Sequence, residues 1–239
     1  MSAHSLRARV RSEMIEEIKA TARKRLAVDG ANLSLRGVAR DMGIVASALY
    51  RYFPSRDDLL TALILEAYQA LAAEVEAADA KQPAADLRGR WMAVCSSVRD
   101  WALAHPAEYG LLYGSPVPGY SAPEDTVAPA AAVVFRLVAI AHAGAGQLTP
   151  PPLSSPLPAS VHADLHRLIE QPSPDLRRLI GQPSSDFSED VLARVFVAWT
   201  QLFGLVNFEL FGRLNGTIDA RAEYFGHHMN VMADLAGLP

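Results

Sequence analysis

The sequence predicts an all-α protein in two parts, a three-helix helix-turn-helix module at residues 1–55 and a larger helical domain at 56–239. Three observations carry this prediction. Apolar residues recur at three- and four-residue steps through most of the 239-residue chain. No run of alternating β-branched residues, the mark of a half-buried strand, occurs. Ala39, Gly43 and Leu49 stand at helix-turn-helix spacing: a small residue where two helices cross, a glycine for the positive-φ turn, and a leucine to plug the second helix into the core.

From Ser12, the residues Ile15, Ile18, Ala22 and Leu26 define one helical face, with Glu13, Glu16 and Glu17 early and Arg23, Lys24 and Arg25 late, as the helix dipole prefers. Gly30 closes this helix. Ser34 is placed to cap a short second helix, which Gly43 ends, and a third helix is expected from Ala46 to Phe53. Pro54 breaks the chain. Ser55 with Asp58 forms a capping box for a long helix carrying Leu59, Leu63, Ala67 and Leu71. Further helices are expected at 86–104, 126–142, 188–211 and 219–235, with a turn at 107–113. Residues 143–186 are rich in Gly, Pro and Ser and read as a flexible loop. That loop holds a tandem repeat, DLHRLIEQPSP from Asp164 and DLRRLIGQPSS from Asp175.

Charge divides the chain in the same way. Residues 1–60 carry 11 basic against 7 acidic side chains, and the remainder carries 11 against 19. A basic module on an acidic body suits an anionic partner for the first part. The single cysteine, Cys95, excludes an intramolecular disulfide framework. No apolar tract reads as long enough to span a bilayer, and no leader pattern opens the chain, so a cytoplasmic protein without membrane contact is expected. His105 and the His227-His228 pair lack partners at ligand spacing, so no metal and no cofactor are expected. A Gly-rich phosphate loop, an HExxH and a nucleophile elbow are all missing, so no catalytic residue is assigned.

The residues around the turn suit double-stranded DNA. Ser47 and Arg51 are of the types that reach base edges, and Ala46 and Ala48 can meet thymine methyls. Tyr50 and Tyr52 offer hydroxyls to phosphate, as Arg36 and Arg56 offer guanidinium groups near helix starts. Arg7, Arg9 and Arg11 form an arm suited to a minor groove.

The run Leu49-Tyr50-Arg51-Tyr52-Phe53-Pro54-Ser55-Arg56-Asp57-Asp58-Leu59, with Ser34 to Ala39 and Gly43, resembles the TetR family of transcriptional regulators. HPAEYGLLYG from His105 and WTQLFGLVNFELFG from Trp199 resemble that family's second domain. The resemblance implies a homodimer on a palindromic operator, a ligand-binding and dimerisation domain, and a small apolar or amphipathic effector that releases a repressor from DNA. The bulky residues Trp91, Trp101, Tyr109, Phe135, Trp199 and Phe203, with the amide of Asn207, are the candidates for the ligand pocket. Trp199, Val206 and Leu210 are the candidates for the dimer interface. Val45, Ala46 and Ala48 depart from the Ser, Lys and Thr common in the family, which implies more apolar or indirect readout. Two alternatives stand beside this one: a helical dimerisation protein without DNA binding, and an enzyme carrying an accessory helix-turn-helix.

Overall fold

A computed structural model describes residues 3–30, 33–152, 155–182, 184 and 186–239. Among them the regular structure is entirely helical. The chain divides into two compact units, one of residues 1–69 and 105–127, the other of 70–104 and 128–239. These differ from a split at residue 55, because the first turns of the long fourth helix and a later short helix belong to the first unit.

The first unit contains α1 (Ala3–Asp29), α2 (Leu35–Asp41), α3 (Ala46–Leu49), the start of α4 (Arg56–Ala80) and the returning helix α6 (Pro106–Tyr113). Local chemistry sets the ends. Ser34 Oγ accepts the Gly37 N–H at 3.2 Å, starting α2. Ser55 and Asp58 cap reciprocally, Ser55 N–H to Asp58 Oδ2 at 2.9 Å and Asp58 N–H to Ser55 Oγ at 3.1 Å. The core joins Ile18 and Ala22 of α1 with Leu35, Val38, Ala39, Leu49, Phe53, Leu59 and Leu63. Lys19 is buried beside this core and bonds Glu66 on α4, which Arg23 also holds at 2.8 Å. Burial alone would lower the Lys19 pKa. The hydrogen bonds and charges of Glu16 and Glu66 outweigh it and raise the pKa.

Two expectations fail here. The arginine arm is helix: α1 begins at Ala3, so Arg7, Arg9 and Arg11 lie on its first turns, and Arg9 pairs with Glu13 one turn on at 3.3 Å. Arginine is a good helix former, and the arm extends a helix that the packed residues Ile18 and Ala22 already hold. The third helix is also shorter than expected. After Leu49 the bonds tighten, Arg51 N–H to Ala48 O at 3.3 Å and Tyr52 N–H to Leu49 O at 2.9 Å, as the chain approaches Pro54.

The second unit comprises the end of α4 with α5 (Leu87–Ala104), α7 (Val127–Ala130), α8 (Ala132–Ala143), α9 (Ala159–Glu170), α10 (Pro174–Ile180), α11 (Glu189–Leu210) and α12 (Arg221–Ala236). Its core is built on Trp91, Val98, Leu137, Ile140, Leu202 and Met229. Two ionic groups are buried with it. Asp79, only 4% exposed, takes both Arg90 and Arg136, and Arg99 grips Glu209 with two bonds of 2.7 and 2.6 Å.

The loop expected at 143–186 contains two helices. α9 and α10 hold most of the tandem repeat, whose Pro183 and Ser185 lie outside the described residues. Leu165 and Ile169 in the first copy, and Leu176 and Ile180 in the second, give each short helix an apolar edge four residues apart. Proline and serine between the copies act as helix punctuation, with Ser173 Oγ accepting the Leu176 N–H at 3.3 Å. α11, at Glu189–Leu210, falls where the helix at 188–211 is expected. It is the one unbroken helix among the described residues whose length and composition match a bilayer crossing, and half of it is buried in the unit, as in a core helix.

Candidate nucleic-acid interface

The helix-turn-helix begins with the turn. Gly43 has φ of +67°, a conformation that side chains resist, and its N–H bonds Arg40 O at 3.1 Å while Ile44 N–H bonds Ala39 O at 3.0 Å. Ala39 is buried where α2 and α3 meet. From α1, Arg25 donates to Gly37 O at 3.2 Å and pairs with Asp41 at 2.5 Å, which holds α2 at both ends.

α3 then presents two faces. Leu49 points inward, and Val45, Ser47, Tyr50 and Arg51 are exposed, Val45 at 69% and Tyr50 at 43%. Ala46 and Ala48 are half-buried, which limits their reach. Arg36 is exposed on the first turn of α2, and Arg40 is exposed one turn later. Tyr52 is half-buried against the core, and the Arg11 guanidinium lies 5.2 Å from its ring centroid. Arg11 also donates to Arg51 O at 3.4 Å. The Arg56 Nε donates to Leu33 O at 2.9 Å, with Nη1 3.6 Å from Asp57. Arg56 therefore ties the start of α4 to the stretch of chain entering α2, a positioning role more than the phosphate contact expected. Arg36, Ser47, Tyr50 and Arg51 are each open to solvent. Val45 enters the sequence reading only as a departure from a pattern; it stands just before α3, outside the helical phase that buries Leu49, and is exposed there. Arg40, four residues after Arg36, escapes that reading in the same way.

The expected ligand residues are not brought together. Tyr109 is fully buried in the first unit, 5.0 Å from the Tyr113 ring, and burial raises its pKa. The others belong to the second unit. Trp91 is core, its Nε1–H donating to Met229 O at 3.2 Å, and Trp101 and Phe203 are also buried. Trp199 packs edge-on to Phe196 and Phe203 at 5.8 and 6.3 Å, and Asn207 is half-buried nearby on α11. Among these residues Phe135 alone lines the apolar cavity enclosed by α8, α9, α10 and α11.

His142 is the one polar side chain on that cavity. Its Nε2 accepts the Ser184 N–H at 3.1 Å, and its ring meets Phe187 at 5.3 Å. Burial lowers its pKa below the ordinary 6.5. The unfolded chain then binds the proton first as pH falls. Stability is intact above about pH 6.5 and declines below it, until the depressed pKa is passed. Thermal melts from pH 7.5 to 5.5 are expected to show that loss, and His142→Phe to flatten it; a slope unchanged by the substitution would assign it elsewhere.

The residues expected at a dimer interface are not all exposed. Val206 is 1% exposed and belongs to the core, because it faces inward with Leu202. Trp199 and Leu210 are half-buried. Val197, Phe208 and Phe211 are the exposed apolar residues of this stretch, Phe208 at 50%, and a Cβ on Gly204 between them would meet nothing within 4 Å. No cluster of three metal-ligating side chains occurs among the described residues.

Comparison with known proteins agrees with this arrangement. Residues 18–63 match the model of bacterial regulatory proteins of the tetR family, and residues 91–232 match the Tetracyclin repressor-like C-terminal domain. The chain is 36% identical over 213 residues to the HTH-type transcriptional regulators Rv1816 of Mycobacterium tuberculosis and Mb1846 of Mycobacterium bovis, covering 85% of this chain and 83% of each relative. The crystal structure of the regulatory protein SCO4313 superposes with a TM-score of 0.72 at 34% identity, covering 94% of this chain and 97% of that one. A turn built on Gly43, an open reading face on α3 and matches over both parts of the chain lead to one conclusion: the chain belongs to the TetR family and is a helix-turn-helix transcriptional regulator.

Proposed function

We propose that the chain is a cytoplasmic homodimeric repressor that binds a palindromic operator and leaves it when a small apolar or amphipathic effector occupies the helical domain. The observation that carries this reading is the exposure of Ser47, Tyr50 and Arg51 on and just after α3, a helix pinned from behind by Leu49, with Val45 exposed just before it and Arg36 exposed on α2. Arg36 and Tyr50 supply phosphate contacts, Ser47 and Arg51 address base edges, and Val45 meets a thymine methyl. Ala46, Ala48 and Tyr52 act at the margin of this surface, and Arg56 holds it in place. Dimerisation is supported by the exposed stripe of Val197, Phe208 and Phe211, with Gly204 open for close approach, since contiguous exposed apolar surface marks an interface. Trp199 and Leu210 are half-buried on the side of α11 turned away from that stripe. Two-fold symmetry then gives two half-sites about 34–36 Å apart or a related distance.

Selection of bound duplexes from a random library tests the reading. Enrichment of a palindrome is expected; a folded dimer that enriches nothing would reject sequence-specific readout. On the selected operator, log affinity should fall linearly with log salt, and Arg36→Ala should reduce the slope by about one. An unchanged slope would remove Arg36 from the phosphate contacts. Effector binding should weaken in the presence of operator by the same factor as operator weakens with effector, and equal effector affinity in both conditions would reject release by induction.

A further inference from the structure

The tandem repeat has a role that the DNA-reading chemistry does not use. Its two helices, α9 and α10, close one side of a cavity whose other walls are α8 and α11, all within the second unit. The cavity is about 50 Å³, a few times the roughly 10–15 Å³ that a single water needs. Ile169 and Ile180 occupy the same position in the two copies, eleven residues apart, and both line it. Opposite them stand Phe135 of α8 and Phe196 of α11.

The lining selects strongly by chemistry. No charged residue contributes to it, and its one polar side chain, His142, has Nε2 occupied by the Ser184 N–H. Accepting at Nε2 places the neutral ring's proton on Nδ1. A carboxylate or ammonium entering would lose its water with no opposite charge to meet it. A hydrocarbon loses nothing of the kind, and cavities lined by Leu, Ile and Phe stay dry and accept apolar guests. Two short helices, each ended by a proline- or glycine-containing turn, form the wall most readily displaced to admit one.

We propose that this cavity is a binding site for a compact, uncharged, hydrocarbon-rich molecule, with the bulk of one aromatic ring or a branched alkyl group, and that the duplicated segment forms its wall. The site deepens the effector reading by giving it a location and a ligand class, and any coupling to DNA rests on that reading. Occupancy itself does not.

The test uses the full chain and toluene as probe, with benzoate as its charged counterpart, read by calorimetry without DNA. Saturable one-to-one binding of toluene is expected, with benzoate at least tenfold weaker. Ile180→Trp, which fills the space from a half-buried position, should weaken toluene at least tenfold while the thermal melt stays cooperative. Toluene binding equal in the filled variant, or absent from the parent, would overturn the site, and benzoate bound as tightly as toluene would overturn the ligand class. A second measurement covers a filled variant that fails to fold. The one native thiol, Cys95, is buried and its pKa is raised by burial, so in Ile180→Cys the introduced thiol is the reactive one. Toluene should slow its alkylation at least fivefold, and an unchanged rate would count against the site. Neither readout involves operator, so failure here leaves DNA recognition standing, and failure of DNA recognition leaves this result standing.

Discussion

Asp79→Ala is expected to destabilise the chain by about 3–5 kcal/mol, the cost of breaking a buried ion pair from one side. Asp79 is the shared anion for two arginines. Arg90 donates to its two oxygens at 2.7 and 3.0 Å, and Arg136 donates at 3.2 Å. Removing the carboxylate leaves two largely covered cations facing each other. Glu76, 3.6 Å from Arg136, is mostly exposed and is a poor replacement. Urea unfolding of parent and variant measures the loss. Asp175→Ala supplies the contrast, because its pair with Arg178 is on the surface and should change stability by no more than about 0.5 kcal/mol. A loss below about 1 kcal/mol for Asp79→Ala would mean that water reaches the arginines and that the triad is not a buried ionic group.

Leu49→Ala should have the largest effect on the reading unit. α3 is four residues long, and Leu49 is its one buried side chain, fully enclosed by the core that Val38, Phe53 and Leu59 share. Truncation of a buried leucine costs about 2–5 kcal/mol, the upper part where the site cannot collapse. The helix it anchors also carries the outward residues, so operator affinity should drop at least about tenfold at temperatures where the chain remains folded, equivalent to about 1.4 kcal/mol. Ser47→Ala, on the opposite face of α3, should leave the melt unchanged. Full operator affinity in folded Leu49→Ala would show that α3 is held by something other than its leucine.

The parts of the structure legible in the sequence are those governed by neighbours. Ser34, the Ser55–Asp58 box and Gly43 are local signals, and each acts in the structure as its residue type requires. The site's inner and outer residues are also separable, since Leu49 sets the phase of α3. Other features depend on partners far along the chain. Arg56 reads as a phosphate contact because nothing in the sequence shows that Leu33 O stands 2.9 Å from its Nε. α11 is apolar nearly all round, so periodicity alone does not decide that Val206 faces the core and Phe208 faces out. Composition misleads over the segment 143–186. Its prolines and serines terminate short helices, and the Leu165/Ile169 and Leu176/Ile180 pairs are the signal for them.

The duplicated segment puts one sequence to two uses. Both copies carry the tripeptide Gln-Pro-Ser, at 171–173 and 182–184. In the first copy Ser173 starts a helix by accepting the Leu176 N–H. In the second, Ser184 starts none: its backbone N–H holds His142, and its hydroxyl accepts the Asp186 N–H two residues on. Identical triplets have taken up different work because the residues after them differ. One eleven-residue unit thus supplies a helix start in one copy and a backbone tie to α8 in the other.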